Sequence, residues 1–333
     1  MAANTETSLV PTAPDAPSAA PVKLGRRARR AAIGTRQLPR PETADPPKIL
    51  WPYCISLGLY HLLALLAFVP WLFSWTGATL TVLGLYVFGT LGINLCYHRL
   101  LTHRGLTLPL WLEPVFAVLG VCCLQDTPAR WVAIHRLHHQ FSDERPDPHS
   151  PLVAFFWGHM GWLLVENREI NSVVTYDRYA RDVLKDPFYF AFERNLLWFW
   201  VNLAQGVAFY LAGFATGWAM TGEVMDGVQF GLSLLVWGVI LRTVLVWHIT
   251  WSVNSLSHIW GYRNYDTNEN SRNNWFVALV SNGEGWHNNH HADQRSASHG
   301  HFWWEFDVTY LSIALLEKVG LARDVVRPSA KLT

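Results

Sequence analysis

The segment "ILWPYCISLGLYHLLALLAFVPWLF", residues 49–73, contains no Asp, Glu, Lys or Arg. A helix that spans a membrane needs about 20 consecutive, mostly apolar residues, and this segment meets that requirement. Three further segments meet it as well, at residues 77–97, 195–217 and 226–250. The links within each successive pair are short, so we expect two hairpins whose ends return to the same side. The sequence therefore predicts an all-α integral membrane protein with four transmembrane helices.

The composition agrees with this class. The chain has 333 residues, of which 50% are hydrophobic and 15% are charged, whereas a soluble domain usually carries about 25% charged residues. Its formal net charge of +1 gives no reason to expect a nucleic acid as a partner. The four cysteines lie in apolar stretches and are interpreted as small buried residues: Cys54, Cys96, Cys122 and Cys123.

Positive charge is concentrated ahead of the first span. Residues 1–46 include the basic run "KLGRRARRAAIGTRQLPR", and residues 1–22 ahead of it lack the apolar core of a signal peptide. Lys and Arg next to a first span stay on the cytoplasmic side of the membrane. We therefore expect residues 1–46 to be a disordered cytoplasmic arm, followed by a domain over residues 47–326. With four crossings, a helical cap formed by residues 98–194 and 251–326 lies on the same side, as does a tail at 327–333.

One apolar segment is ambiguous. "LTLPLWLEPVFAVLGVCCLQ", residues 106–125, is long enough to span, but a single crossing there would move every later polar segment to the opposite side. Pro109, Glu113 and Pro114 interrupt its first half. We expect an interfacial or re-entrant helix.

Nine of the fifteen histidines form a pattern. Two groups read "HRLHH" (135–139) and "HNNHH" (287–291), one reads "HRLLTH" (98–103), and His258 follows the last span. Residues at i, i+3 and i+4 share a helix face, so each HxxHH group is predicted to aim three imidazoles at one point. Neutral imidazole is a common metal ligand, and nine exceed the three or four protein ligands of one zinc. The sequence thus predicts a two-metal site in the cap, with candidate ligands His98, His103, His135, His138, His139, His258, His287, His290 and His291.

The remaining histidines are interpreted as packing or polar residues: His61, His149, His159, His248, His299 and His301. No HExxH motif occurs, and Glu-x-x-His occurs once, at residues 284–287. These observations argue against the zinc-protease arrangement and against the carboxylate-bridged di-iron site of ferritin-like bundles. A metal centre built almost wholly of histidine would differ from both of these arrangements.

The segments around these histidines carry a resemblance. "HRLHHQFSDERPDPHS", "FFWGHMGWLLV", "NSLSHIWGYRNYDT", "GEGWHNNHH" and "WWEFDVTYLSIALLEKVGL" resemble the membrane fatty-acid desaturases of the stearoyl-CoA Δ9 type, which include bacterial acyl-CoA and acyl-lipid members. The resemblance implies four membrane helices under a cytosolic cap, with two iron ions (Fe2+/Fe3+) held by the nine histidines. It implies O2 as a co-substrate, a cis double bond expected at Δ9, and a location in a bacterial inner membrane.

The same resemblance implies roles for six other residues. Asn254, four residues before His258, matches an asparagine that reaches one metal through water. Residues that line the bend of the family's acyl tunnel are matched by Gln125, Trp131 and Thr250, and positions near its closed end by Tyr86 and Thr90. A bent tunnel would hold one pair of carbons near the metals and so set the position of the double bond.

Two departures from the family concern the acyl carrier. Animal acyl-CoA enzymes read "WARDH" before the second histidine group, where this chain reads "WVAIH" (131–135), and they have a basic residue where this chain has Glu166. The absence of these arginines weakens an assignment to acyl-CoA, because guanidinium groups suit the CoA phosphates. The alternatives are a membrane lipid, an acyl carrier protein, or CoA held by Arg130 or Arg168.

Electrons are expected from a separate ferredoxin or cytochrome b5-like protein, since the sequence shows no b5 module, Gly-rich nucleotide motif or cysteine cluster. Candidate docking cations are Arg136, Arg263 and Arg272. Three alternatives to a desaturase remain at this point. They are a related di-iron hydroxylase, a divalent-metal transporter or sensor, and a histidine-tethered haem protein.

Overall fold

The computed structural model describes residues 37–329, and all regular elements in that range are helices. Besides short 3-10 turns at Glu42–Ala44 and Pro70–Leu72, they are α1 (Trp51–Phe68), α2 (Trp75–Thr102), α3 (Glu113–Val121), α4 (Pro128–Phe141), α5 (Trp157–Gly161, continuing as Trp162–Leu164), α6 (Val173–Leu184), α7 (Pro187–Arg194), α8 (Leu197–Thr221), α9 (Val224–His258), α10 (Trp275–Val280), α11 (His287–Ala292) and α12 (Val308–Lys318). Four helices are long and apolar enough to cross a membrane: α1, α2, α8 and α9. They correspond to the four predicted spans.

The spans form two hairpins, as predicted. A short turn at Pro70–Leu72 joins α1 to α2, and the Ser74 hydroxyl caps α2 by accepting a hydrogen bond from the Gly77 N–H at 2.9 Å. Gly222, in the left-handed region at φ 79°, ends α8 and lets the chain reverse into α9. The polar segments that follow α2 and α9 therefore meet at one end of the bundle.

Parts of α2 and α9 are π-helical, at Leu85–Thr102 and Val236–Leu241. In a π-helix each N–H bonds to the carbonyl five residues earlier, and such stretches are frequent at functional sites. At the end of α2 the His103 N–H donates to the His98 carbonyl at 3.1 Å. Because of this wider turn, two residues five apart lie on the same side of the helix, which an ordinary α-helix would not allow.

The ambiguous segment forms only a short helix. With nine residues, α3 is about 13 Å long, whereas the apolar core of a bilayer is about 30 Å thick. It lies against α2 so closely that a Cβ on Gly92 would overlap the backbone of Gly120. An interfacial or re-entrant helix agrees with this length.

The folded domain begins earlier than the expected boundary at residue 47. Leu38 and Ala44 are buried, and the Leu38 N–H donates to the Leu152 carbonyl at 3.0 Å. The predicted arm therefore includes a packed portion at residues 37–46, held by these apolar side chains, while residues 1–36 lie outside the described part. At the other end the Ser329 N–H donates to Asp293 Oδ2 at 2.6 Å, which attaches the exposed residues 327–329 of the predicted tail to the domain surface.

Candidate metal centre and acyl cavity

Local sequence explains where the histidine helices start. Thr127 caps α4, its hydroxyl accepting from the Arg130 N–H, and Pro128 occupies the first helical position, where a missing N–H is harmless. The turn before α11 is tight, because a Cβ on Gly285 would overlap the backbone of Ala278. These features place the two HxxHH groups on helices that face each other.

All nine candidate ligands come together, in two groups. The five-histidine group consists of His98, His103, His135, His139 and His290, and the four-histidine group consists of His138, His258, His287 and His291. Within each group the nitrogen atoms lie within 4.8 Å of one another. Successive Nε2 atoms of His98, His290, His139 and His135 are separated by 3.1, 3.0 and 3.0 Å. The residues come from α2, α4, α9 and α11, so the site exists only in the folded chain.

The prediction that each HxxHH group aims three imidazoles at one point is wrong. His135 and His139 join the five-histidine group, whereas His138 joins the four-histidine group. In the other motif His290 joins the five-histidine group, whereas His287 and His291 join the four-histidine group. In both motifs the residue at position i+3 is the one that is separated from the other two. The physical reason is angular: positions i+3 and i+4 lie on opposite sides of position i on the helix face, about 100° apart. The two HxxHH helices, α4 and α11, therefore each contribute to both groups.

The spacing of the nitrogens fits metal ions. Imidazole nitrogens bind such ions at about 2.0–2.1 Å, so two of them at a right angle are about 3.0 Å apart. The Nε2 atoms of His258 and His287 show that separation, at 3.0 Å. In addition, His103 Nε2 is buried and has no hydrogen-bond partner among the described residues. Close-packed nitrogen lone pairs and an orphaned buried nitrogen both fit a shared cation.

Carboxylates hold the outer nitrogens of three candidate ligands. His98 Nδ1 lies 2.5 Å from Glu284 Oε2, His138 Nδ1 lies 3.0 Å from Asp147, and His258 Nδ1 lies 2.8 Å from Asp143 Oδ2. Such carboxylate–histidine pairs orient metal ligands and raise their basicity. Sequence analysis missed these three acids. Asp143 and Asp147 follow HRLHH within eight residues and Glu284 precedes HNNHH by three, a proximity that was available as a signal.

The electrostatics favour metal binding. Burial, followed by the neighbouring imidazoles, lowers the pKa well below its ordinary value for His103, His135, His139, His287, His290 and His291. These side chains are therefore neutral at pH 7, which is the form that binds metals. Burial alone would raise the pKa of Glu284, but the nearby Arg99 guanidinium holds it well below its usual range. The site thus combines these six neutral histidines with an ionised carboxylate, Glu284, behind His98.

Arg99 connects the site to the segments that contain Ala297 and Asp307. Its guanidinium is fully buried and donates to Glu284 Oε1 at 2.7 Å, to Asp307 Oδ2 at 2.9 Å and to the Ala297 carbonyl at 2.7 Å. A buried charge needs paired and hydrogen-bonded partners, and here two carboxylates provide them. Its only sequence signal was its place next to His98.

Two of the six histidines interpreted as packing residues lie behind the site. His299 Nδ1 is 3.3 Å from Glu284 Oε2, and its ring stacks on that of His290 at 4.3 Å. His149 Nδ1 is 3.8 Å from Asp147 Oδ1. Both contact the supporting carboxylates, and neither reaches the shared nitrogen positions of the two groups.

A cavity of about 980 Å³, mouth included, opens beside both groups. His98, His135 and His287 form part of its wall, and most of the remaining lining is apolar or aromatic. Such a cleft is typical of a site for an apolar ligand.

Four of the residues matched to the family by resemblance line this cavity: Gln125, Trp131, Thr250 and Asn254. Gln125 Nε2 donates to Thr250 Oγ1 at 2.9 Å, and Trp131 Nε1 donates to Gln125 Oε1 at 3.4 Å.

Tyr86 and Thr90 do not line the cavity. The Tyr86 hydroxyl bonds to Ser312 Oγ at 2.8 Å, and Thr90 Oγ1 accepts from Asn282 Nδ2 at 2.7 Å. Both side chains are therefore engaged with the segments that carry α10 to α12. Their role near a closed end stays a prediction.

With this geometry established, comparison with known proteins identifies the family. The fatty acid desaturase family model matches residues 70–301. The chain belongs to the fatty acid desaturase family. An sn-2 palmitoyl-lipid 9-desaturase of Nostoc sp. is 41% identical over 287 residues, covering 86% of this chain and 93% of that protein. An sn-1 stearoyl-lipid 9-desaturase of Synechocystis sp. is 40% identical, covering 84% and 80% respectively. An acyl-CoA 5-desaturase of Anemone leveillei is 41% identical, covering 83% and 79%.

This desaturase is therefore a membrane oxidoreductase that acts on fatty acyl chains. Its histidine groups form a candidate metal site next to the cavity. A transporter or sensor is not supported, since the matched relatives are enzymes and the ligands of transporters lie at mid-depth within the bilayer. His98 and His258 instead lie near or at the ends of α2 and α9.

Proposed function

We propose that this chain is a di-iron Δ9 desaturase that acts on lipid-linked saturated acyl chains. The observation that carries the proposal is the convergence of nine histidines, in groups of five and four, beside a largely apolar cavity. The position and the substrate class follow the two relatives from Nostoc and Synechocystis, whose names describe 9-desaturases of lipid-linked acyl chains.

Two iron ions held by these groups would supply the redox chemistry, in which O2, two electrons and two protons take two hydrogens from adjacent methylenes, leaving the double bond and two waters. No side chain is basic enough to deprotonate such a carbon, so the chain contributes position. The five-histidine and four-histidine groups hold the centre, and the carboxylates behind them keep each ring oriented.

The cavity wall positions the acyl chain. Gln125 is held by Thr250 and Trp131, so its side chain is fixed in the wall beside His98 and His135. A fixed wall keeps one pair of carbons at the metals, which is the form of catalysis by proximity and orientation that this reaction needs. Trp247 and Trp251 complete an apolar wall that excludes water.

Several contacts favour a lipid carrier over CoA. In place of the arginine and aspartate of the animal acyl-CoA enzymes the chain has Ala133, fully buried, and Ile134, which lines the cavity. Glu166 is paired with Lys48 at 2.7 Å. The two alternative cations are also engaged: Arg130 donates to Asn171 Oδ1 at 2.8 Å, and Arg168 donates to the carbonyls of Thr43 and Glu42. None of these positions offers an unengaged guanidinium for CoA phosphates.

Electrons would come from a separate ferredoxin or cytochrome b5-like protein that docks on the cap, which we place in the cytoplasm with both termini, at a bacterial inner membrane. The three candidate docking cations all donate within the chain. Arg136 binds the Leu101 carbonyl at 2.7 Å, Arg263 binds the Thr267 carbonyl at 2.7 Å, and Arg272 binds the Gly261 carbonyl at 3.3 Å. Their part in steering an acidic donor would therefore be through charge at a distance.

The decisive experiment is expression in a host that lacks its own unsaturated fatty acids, followed by gas chromatography of total lipid. We expect cis-Δ9 monounsaturated acyl chains. A product that gains one oxygen instead of losing two hydrogens would identify a hydroxylase and contradict the proposal. Elemental analysis of active purified enzyme should find two irons per chain, and the absence of iron would overturn the di-iron assignment.

The carrier is tested separately on purified enzyme with a reducing system. Phospholipid with saturated chains should be turned over, and free stearoyl-CoA should not. Rapid use of stearoyl-CoA would reject the lipid carrier while leaving the desaturase intact.

A further inference from the structure

The end of α3 lies inside the bundle, where backbone carbonyls need partners. A helix leaves its last four carbonyls without helical hydrogen bonds, and in a membrane these groups cannot turn to water. Three successive carbonyls at this end, of Val121, Cys122 and Cys123, accept hydrogen bonds from side chains of α8 and α9.

The donors come from two transmembrane helices. Asn202 Nδ2, on α8, donates to the Val121 carbonyl at 3.0 Å. Arg242 Nη1, on α9, donates to the Cys122 carbonyl at 3.0 Å, and Trp247 Nε1 donates to the Cys123 carbonyl at 2.8 Å. The end of α3 is thus held in place by side chains of α8 and α9, the second transmembrane hairpin.

Arg242 is the unusual member of this set. It is fully buried within α9, and no carboxylate pairs with it in the part of the chain that the structure describes. Its other N–H groups donate to Gln205 Oε1 at 2.8 Å and to the Gly238 carbonyl at 3.2 Å, and its guanidinium lies 4.1 Å from the centre of the Phe88 ring. A charged side chain within a span is costly and usually marks function.

The end of a helix supplies the missing negative charge. The aligned peptide dipoles give a helix C-terminus a partial negative charge of about half a unit, which stabilises a cation placed there. Arg242 touches this end of α3 through the Cys122 carbonyl and lies 3.7 Å from Cys123 Sγ. The guanidinium is therefore balanced by backbone and ring electrons in place of an acid.

The fastened end leads directly into the cavity wall. Leu124 and Asp126 have positive φ values of 51° and 66°, and this turn brings Leu124, Gln125 and Asp126 to the lining. Non-glycine residues in the left-handed region are held there by their surroundings. Gln125, which carries the hydrogen bond to Thr250, lies two residues after the last fastened carbonyl.

We propose that Arg242 is a positioning residue for desaturation: it fixes the end of α3, and through it the Leu124–Asp126 turn, the wall against which the acyl chain is aligned. The inference rests on the proposed function, because it concerns how that substrate is held. Arg242 does not line the cavity, so its effect passes through the turn.

The test is the position of the double bond in the product. Arg242→Met removes the guanidinium and keeps an unbranched side chain, while Arg242→Lys keeps the charge with fewer donors. We expect Arg242→Met to raise the ratio of misplaced to correctly placed double bonds roughly tenfold, which corresponds to about 1.4 kcal/mol. Arg242→Lys should fall between this variant and the wild type. Mass spectrometry of derivatised methyl esters gives the ratio, and elemental analysis should show unchanged iron content.

The matched control is Thr81→Val. Thr81 is also buried in a span and donates to the Trp237 carbonyl at 2.8 Å, but it does not touch α3. Its substitution should leave the double-bond ratio unchanged. An Arg242→Met enzyme with the wild-type ratio overturns the proposal, because a purely structural role lowers the amount of product without moving the double bond.

If the Arg242→Met protein does not accumulate in the membrane, a second variant tests the proposal. Gln205→Leu removes the acceptor of one guanidinium N–H and a long hydrogen bond, at 3.5 Å, from Gln205 Nε2 to the Cys122 carbonyl. It leaves the bond from Arg242 to that carbonyl in place, so it should shift the same ratio in the same direction by a smaller factor. An unchanged ratio in this variant would then overturn the proposal.

A readout independent of turnover separates this inference from the proposed function. In a chain with Cys54→Ala, Cys96→Ala and Cys122→Ala, Cys123 is the only thiol and is fully buried. We expect Arg242→Met to speed maleimide labelling of Cys123 roughly tenfold and Thr81→Val to leave it unchanged. If the wild type makes no unsaturated product, the proposed function fails and labelling alone decides. Equal labelling with and without Arg242 then refutes the fastening.

Discussion

Two sets of histidines in this molecule use their nitrogens in different ways. In the metal centre, Nε2 atoms from four helices converge, and successive members of the five-histidine group lie 3.0–3.1 Å apart. The second set, which we call the histidine chain, consists of His61 on α1, His248 on α9 and His159 on α5. Its rings follow one another in a line and share no common point.

Every ring nitrogen in the histidine chain has a hydrogen-bond partner. His61 Nε2 lies 3.0 Å from His248 Nε2, and His248 Nδ1 lies 3.0 Å from His159 Nε2. At the ends, His61 Nδ1 bonds to the Leu57 carbonyl at 2.7 Å and His159 Nδ1 bonds to Ser255 Oγ at 3.0 Å. No lone pair is left over for an ion. The histidine chain instead links the transmembrane helices α1 and α9 to α5.

Carboxylates on the outer nitrogens of three ligands distinguish the metal centre from the histidine chain. Behind the metal centre stand Glu284, Asp147 and Asp143, whereas no carboxylate bonds to the histidine chain in the described part of the molecule. A carboxylate on one nitrogen fixes the tautomer and leaves the other nitrogen free to bind a metal. Histidines bonded to one another and to neutral groups are instead structural.

Removing a ligand should have the largest effect. His138→Ala and His290→Ala each take one nitrogen from a different group, so we expect both to abolish unsaturated product and to lower the iron content while the chain still inserts into the membrane. Gas chromatography and elemental analysis measure these outcomes. Retained activity in either variant would falsify the ligand role of that histidine.

His301→Ala is the control for that pair. The His301 ring bonds to the Tyr265 hydroxyl at 2.8 Å and belongs to neither metal group. Its replacement should change activity little.

Removing a supporting carboxylate should have a smaller effect. Asp147→Asn keeps the size of the side chain but removes the charge that orients His138 Nδ1 at 3.0 Å. Loss of such a partner typically lowers metal affinity or activity by about 10–100-fold. Titration of apo-enzyme with Fe2+ measures the affinity. The exposed Asp177, paired with Arg181, provides the control Asp177→Asn, and equal affinities in the two variants would contradict the comparison.

Breaking the histidine chain should affect stability and leave metal binding intact. His248→Gln disturbs both central links, and we expect the free energy of unfolding to fall by about 2 kcal/mol, the worth of one or two hydrogen bonds. Chemical unfolding in detergent measures this change, with iron content measured in parallel. A variant that loses iron and keeps its stability would show that the histidine chain belongs to the metal centre.

The smallest effect concerns pH. Burial lowers the pKa of His159, partly opposed by the Trp251 carbonyl, so the folded protein binds this proton less readily than the unfolded chain. The free energy of unfolding should therefore decrease as pH falls from about 6.5 toward the lowered pKa. His159→Gln should make this decrease shallower in unfolding curves recorded between pH 7 and 5. Identical slopes for variant and wild type would show that His159 does not contribute.

Much of the fold could be read from local patterns. The four spans are continuous apolar runs, and a membrane requires a helix of that length to satisfy its own backbone. The crowding of histidines at 98–103, 135–139 and 287–291 likewise indicated a metal centre before any contact was known.

Other features depend on contacts between distant residues. Nothing in "HRLLTH" shows that α2 ends as a π-helix, which is what brings His98 and His103 to one side. Resemblance placed Tyr86 and Thr90 near a closed end, but neighbours more than 190 residues away engage both side chains.

The sequence by itself determined the membrane class, the two hairpins and the set of nine histidines, because apolar run length and motif spacing are local properties of the chain. Only the tertiary structure decided how those histidines divide into five and four, which acids stand behind them, and why Arg242 is tolerated inside a span. Each of these depends on groups from separate helices meeting in space, where burial and charge set the outcome, and no local pattern records which groups will meet.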